Sequence, residues 1–158
     1  MSWDIAIEGA AQSEWSVCTI WLQHEKLFYL IDMVRGLYDY TDLRDKFIEF
    51  GNRYPLNEIL IEDTPTGRAL TSDIDIQGVF SIKTLPIQHD REGRISGQQY
   101  MFKKGEVLFP KDAPFMKEVE NELLSYPQGD THDIVDSISQ ALTINQTGYD
   151  TTLSGVDN

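Results

Sequence analysis

Carboxylate side chains stand at three places where a folded chain could bring them together. Asp4 lies mid-strand in an alternating segment, and Glu62 and Asp63 end a short apolar run. Asp133 and Asp136 lie three residues apart at the start of the last predicted helix, so they share one face. Carboxylates so placed suit Mg²⁺ and Mn²⁺, which prefer oxygen ligands. Two such ions can activate water and stabilise the leaving oxygen in phosphodiester cleavage.

Each acid also has a plain structural explanation. Asp4 could simply face solvent, and an acid at a strand end could cap a turn. The helix dipole alone favours Asp133 near a helix start. Spacing and periodicity do not show that the three places meet, so the metal site and these alternatives stay open at this point.

The first third of the chain predicts three strands, at 3–8, 16–23 and 27–34. The first strand alternates, with Trp3 on one face and Asp4 on the other. Because the connectors between the strands are short, the pattern indicates an antiparallel meander.

Helices alternate with further strands in the rest of the chain. Residues 41–50 have helical spacing, with Thr41 as a possible cap and Gly51 as a stop. The order of elements predicts a mixed α/β sheet with helices packed against it. The remaining predicted elements are strands at 58–62, 79–87 and 106–109, and helices at 68–72, at 92–104, from Asp112 to Leu124, and from Thr131 with Ile134, Ile138, Ala141 and Leu142 inward.

Composition is that of an ordinary globular domain. The 158 residues favour one domain, 41% are hydrophobic and 25% are charged. We expect the domain to span residues 1–144, with 145–158 as a flexible tail. Neither a membrane span nor a secretory signal is predicted. The lone cysteine, Cys18, fits a reducing cytoplasm and excludes an internal disulfide framework.

The net charge of −13 opposes a simple nucleic-acid binder, because phosphate contacts need Lys and Arg. Two considerations weaken this objection. Bound divalent cations reverse the local field of a carboxylate site, and a neighbouring domain could supply most of the affinity for DNA.

Ordered stretches of the chain resemble the C-terminal nuclease domain of phage-type terminase large subunits over about residues 2–143. No single stretch is specific, but their order and spacing together are. The resemblance implies a ribonuclease H-like fold, in which antiparallel strands 1–3 are followed by parallel strands. It also implies an endonuclease that cuts concatemeric viral DNA during genome packaging. The stretches are Ser2-Trp3-Asp4, Trp15 to Thr19 with Trp21, Tyr29 to Asp32 with Arg35-Gly36, Leu60 to Asp63 with Gly67, Gly105 to Pro110, Tyr126-Pro127, and His132 to Ser137.

The resemblance implies that Asp4, Glu62 and Asp133 are catalytic and bind two divalent ions, Mg²⁺ or Mn²⁺. Asp63, beside Glu62, and Asp136 are further candidate ligands.

The third acid belongs to a His-Asp-Asp-x-Val-Asp pattern in the family. Here the run is Thr131-His132-Asp133-Ile134-Val135-Asp136, so His132 replaces the first Asp. This departure leaves the third ligand open between Asp133 and Asp136, with Asp133 favoured. His132 could orient water or contact phosphate, and an ordinary surface histidine is an equal alternative.

The family often has basic residues ahead of the late helix, and Arg91 and Arg94 fit that placement. With Lys83, Lys103 and Lys104 they form the locally basic stretch of an acidic chain. We interpret it as an edge that contacts DNA phosphates, with a solvated helix face as the alternative.

Implied partners are double-stranded DNA, a terminase ATPase domain outside this chain, the small terminase subunit and the portal, in the cytoplasm of a bacterial host carrying a phage or prophage. No Walker A sequence occurs, so ATP hydrolysis is not expected. No Ser-His-Asp or Cys-His arrangement and no zinc-type spacing is visible. Two alternatives stay open: a Holliday-junction resolvase-like nuclease, or a catalytically degenerate docking module of the packaging machine.

Overall fold

The computed structural model describes residues 1–6, 15–75, 78–87 and 91–144, without the side chains of Asp75 and Arg91. Predictions for Ile7, Glu8 and the tail 145–158 lie outside these residues. The strands are β1 (Ser2–Asp4), β2 (Ser16–His24), β3 (Leu27–Gly36), β4 (Ile59–Glu62), β5 (Ile82–Leu85) and β6 (Val107–Leu108). The helices are α1 (Tyr40–Arg53), α2 (Pro65–Asp75), α3 (Arg91–Lys103), α4 (Met116–Ser125) and α5 (Asp133–Leu142).

The strands form one mixed sheet in the order β5-β4-β1-β2-β3-β6. The predicted meander is confirmed, since β2 pairs antiparallel with both β1 and β3. The later strands add in parallel: β4 joins β1, β5 joins β4, and β6 joins β3. The predicted mixed α/β sheet is therefore correct.

Alternating side chains divide the sheet into two apolar faces. The α1 face carries Trp3 and Cys18, packed with Phe47 of α1 and Leu70 of α2. The α5 face packs residues of β2, β3 and β6 against α3, α4 and α5, namely Val17, Phe28, Leu30, Met33, Met101, Val107, Met116, Val119, Ile134, Ile138 and Leu142. The sheet thus lies between two helical layers, as the α/β pattern requires.

The predicted ends of α1 were wrong at both termini. Asp39, not Thr41, caps the helix, and its carboxylate accepts a hydrogen bond from the backbone N–H of Asp42 at 2.9 Å. Gly51 does not stop the helix, which runs on to Arg53. Gly51 is buried, and a Cβ there would lie 2.6 Å from the ring of Phe80. The small size of Gly51 therefore lets the ring of Phe80 pack against the helix.

Two other helices begin elsewhere than predicted. Helix α2 begins at Pro65 rather than at Arg68, because a first-turn proline lacks only an N–H that has no helical partner. The Thr64 hydroxyl accepts from the backbone N–H of Gly67 at 3.0 Å. Helix α4 begins at Met116, not after Asp112, because Pro114 disfavours helical geometry in the residue before it.

No helix in the described part of the chain is long and apolar enough to cross a membrane.

Candidate functional site

Asp4 and Glu62 end two neighbouring parallel strands on the α5 face. Trp3 pairs with Ile61 in the β1–β4 ladder, so Asp4 and Glu62 follow at matching positions. Trp3 and Ile61 belong to the core of the α1 face. Since successive strand residues point to opposite faces, both acids point toward α5, and adjacent strands lie only about 5 Å apart.

Small polar side chains join α5 closely to the sheet. Ser2 Oγ donates to the carbonyl oxygen of Ser137 at 2.9 Å, and Ser137 Oγ donates back to the carbonyl of Ser2 at 3.0 Å. The hydroxyls of Thr19 and Ser137 are 2.8 Å apart. Gln140 Nε2 donates to the carbonyl of Trp3 at 3.1 Å. These buried bonds fix the position of α5 against the strand that carries Asp4.

A buried carboxylate from α4 caps the start of α5. Glu122 Oε1 accepts from the backbone N–H groups of Ile134 at 2.6 Å and Val135 at 3.0 Å. Glu122 Oε2 accepts from the hydroxyl of Thr131 at 3.0 Å. Helix N-termini leave such N–H groups without partners and favour negative charge. Glu122 is 4% exposed, so this cap holds the turn that carries Asp133 and Asp136.

Arg35, at the end of β3, is shared among acids around the same helix start. Its Nη1 lies 3.8 Å from Glu122 Oε2, and its Nη2 lies 3.7 Å from Asp133 Oδ2. Glu118 approaches at 4.0 Å, and the guanidinium stacks on the ring of Trp15 at 4.6 Å. Arg35 therefore offsets the negative charge that the Glu122 cap and Asp133 bring together.

Arg94, from α3, lies between two of the candidate metal ligands. Its Nη2 is 2.9 Å from Asp136 Oδ1 and its Nη1 is 3.5 Å from Glu62 Oε1. The Arg94 side chain is 6% exposed, against 7% for Asp136 and 21% for Glu62. The guanidinium thus connects the end of β4 to the first turn of α5.

Four of the five predicted acids lie where strand ends and helix start converge. Asp4 and Glu62 lie at the strand ends, and Asp133 and Asp136 lie on the first turn of α5. Asp63 differs, because it is 49% exposed and pairs with Arg68 at 3.1 Å. Which of these side chains bind metal stays a prediction.

The donor set suits a divalent cation, although the described side chains do not yet surround one. Within the described ranges, no three His, Cys, Asp or Glu side chains are grouped so that they could hold a metal ion. Glu62 and Asp136 are instead joined through the guanidinium of Arg94. The two carboxylates thus face a positive charge that the chain itself supplies.

The predicted basic residues do not form one continuous edge among the described side chains. The Arg94 side chain is buried and paired with Asp136 and Glu62. Lys103 and Lys104 are exposed at the other end of α3, about 14 Å along the helix from Arg94. Lys83 is half-buried on the edge strand β5. The side chain of Arg91 lies outside the described residues, and DNA contact stays a prediction for all five.

His132 occupies the N-cap position of α5 without capping it through its side chain. Its Nε2 lies 3.2 Å from the carbonyl oxygen of Pro127, and its ring packs edge-on against Tyr126 at 5.2 Å between centroids. In this position, next to Asp133, the imidazole supports the turn before α5. Its predicted contact with phosphate or water is untested by these contacts.

Cys18 has no features of a nucleophile. The side chain is fully buried, and burial raises the pKa of its thiol well above the usual value.

Glu122 and Arg35 are the site residues that sequence reasoning missed. On α4, Met116, Val119 and Glu122 are buried, and Phe115 and Leu123 are partly buried against the same core. A signal for Glu122 was present, because an acid three residues after a core valine lies on the same helix face. A buried charge of this kind requires a partner.

Comparison with solved structures gives a consistent group of similar folds. The large terminase nuclease of thermophilic phage G20c with bound zinc matches with a TM-score of 0.70 and 20% identity, over 90% of this chain and 78% of that one. The same nuclease with bound magnesium gives 0.68 and 19%, over the same shares. The human cytomegalovirus terminase nuclease domain, manganese-soaked with an inhibitor bound, gives 0.62 and 10%, over 90% and 80%.

No protein-family model and no curated protein sequence matches the chain. At these identities the structural likeness establishes the fold, which is the ribonuclease H-like fold of terminase nucleases.

Proposed function

We propose that this chain is the metal-dependent endonuclease domain of a terminase large subunit, and that it hydrolyses phosphodiester bonds of concatemeric viral DNA during packaging. One observation carries the proposal. In a chain with the fold of terminase nucleases, Asp4 and Glu62 end neighbouring strands on the face covered by α5, whose first turn carries Asp133 and Asp136.

The proposed ligands are Asp4, Glu62 and Asp133 for two Mg²⁺ or Mn²⁺ ions, with Asp136 in support. Support comes from the carboxylate donors, which suit a divalent ion, and from the guanidinium of Arg94, a cation that lies between Glu62 and Asp136. When bound, such ions would activate water and stabilise the leaving oxygen. The chain's own contribution is to hold the carboxylates in place through the contacts of α5 with Ser2 and Glu122.

The charge of the chain bears on how it would engage DNA. A net charge of −13 predicts weak affinity of this chain alone for a polyanion. We therefore propose that a terminase ATPase domain supplies much of the DNA binding, and that the small terminase subunit and portal are further partners in the host cytoplasm. Sequence preference is expected to be weak.

The decisive experiment measures cleavage of supercoiled plasmid by the purified chain in Mn²⁺, with an EDTA control. Asp4→Asn and Glu62→Gln remove one charge each with little change in shape. Asp45→Asn is the matched control, because Asp45 lies on α1 with its side chain 68% exposed. We expect metal-dependent nicking by the wild type and the control. The cleavage rate should fall at least about a hundredfold in both site variants, because each loses a carboxylate charge proposed to hold the metal ions.

The outcomes separate the candidate functions. Full activity of folded Asp4→Asn would show that the proposed site is wrong. A wild type that neither cleaves DNA nor binds Mn²⁺ in calorimetry would favour the degenerate docking module. Preferred cutting of four-way junctions by a dimer would favour the resolvase-like alternative.

A further inference from the structure

Arg94 is held deep in the site from two directions. Its guanidinium contacts Asp136 at 2.9 Å and Glu62 at 3.5 Å, with the side chain 6% exposed. One turn along α3, Gln98 Nε2 donates to the carbonyl oxygen of Ser139 at 2.6 Å. Since residues four apart lie on one helix face, this bond fixes the face of α3 that directs Arg94 toward α5.

The hydrogen bonding of the Arg94 guanidinium is incomplete among the described residues. Its Nε is buried without a hydrogen-bond partner among the described residues, although a guanidinium carries five N–H donors. Glu62 and Asp136 both face this one guanidinium. A divalent ion carries twice the charge of a guanidinium and binds carboxylate oxygens directly.

We infer that Arg94 is a resident cation of the site, which keeps Glu62 and Asp136 in place without metal and competes with a divalent ion for their oxygens. The inference rests on the proposed function. Glu62 Oε1 and Asp136 Oδ1, which face the guanidinium, are oxygens that an ion between these two carboxylates would also contact.

The test is calorimetric titration of Mn²⁺ into the wild type and Arg94→Gln, which needs no catalysis. Arg53→Gln is the matched control. Arg53 also bridges two acids, Asp32 at 3.6 Å and Glu49, but lies on α1.

The expected gain follows from charge repulsion. A unit charge about 6 Å from a divalent ion weakens its binding about tenfold even at the dielectric constant of water. We expect Arg94→Gln to bind Mn²⁺ at least about tenfold more tightly than the wild type, and Arg53→Gln to bind as the wild type does. Arg94→Lys, which keeps the charge, should stay within about threefold of the wild type.

The results separate this inference from the proposed function. Equal or weaker binding by folded Arg94→Gln, with clear wild-type binding, would overturn the competition alone. No binding by either protein would overturn the proposed function and this inference with it. If Arg94→Gln does not fold, the Nε–H resonance of Arg94 in the wild type decides. It should shift on Mg²⁺ titration, and an unchanged resonance at saturating Mg²⁺ would reject the competition.

Discussion

The Glu122 cap offers a test of how the site is held together. Glu122→Gln keeps the size and shape of the side chain and removes its charge. The amide oxygen can still accept from the backbone N–H groups of Ile134 and Val135, which now lie 2.6 and 3.0 Å from the carboxylate. What is lost is the negative charge at the helix N-terminus and one of the acids around Arg35.

The expected cost is the sum of these two losses. A charge at a partly buried helix terminus contributes up to about 2 kcal/mol. The weakened pairing with Arg35, which keeps Asp133 and Glu118, adds up to about 1 kcal/mol. We therefore expect Glu122→Gln to lower the free energy of unfolding by up to about 3 kcal/mol. For a domain of this size that upper value corresponds to about 6–12 °C in melting temperature.

Urea denaturation followed by circular dichroism measures this change. Glu120→Gln is the matched control, since Glu120 lies on the same helix α4 and is exposed. The control should stay within about 0.5 kcal/mol of the wild type. A Glu122→Gln variant as stable as the control would refute the argument that the buried carboxylate holds the start of α5.

Two further predictions concern the surroundings of the site. Gly67→Ala should lower the free energy of unfolding by about 1–3 kcal/mol and reduce cleavage, because the new Cβ would lie 2.3 Å from the carbonyl oxygen of Glu62. Urea denaturation measures the stability and the plasmid assay measures the cleavage. A gain in stability, as is expected for the exposed control Gly97→Ala, would contradict the clash. Cys18 should not react with a thiol reagent in the native protein at pH 8, because it is fully buried and burial raises the pKa of its thiol; rapid native labelling would disprove this, and full reaction in denaturant is the control.

Local pattern was enough for the antiparallel meander and for the buried face of the last helix. The alternation that puts Trp3 opposite Asp4 depends only on strand geometry, and the structure places Trp3 in the α1-face core. The two-residue connector between β2 and β3 leaves little choice but antiparallel pairing of these strands. The helical spacing of Ile134 and Ile138 likewise predicted the buried face of α5.

The sequence named the acids, but only the tertiary structure decided how they are held. Nothing in the sequence near Glu122 indicates that its carboxylate caps a helix beginning 11 residues later. Nothing near Arg94 indicates that its guanidinium lies between Glu62 and Asp136. These contacts join residues far apart in the chain, and their geometry depends on how α3, α4 and α5 pack on one sheet. Residue type and period thus determine which atoms could do chemistry, whereas packing determines which charges meet, because a charge can be buried only where the fold supplies its partner.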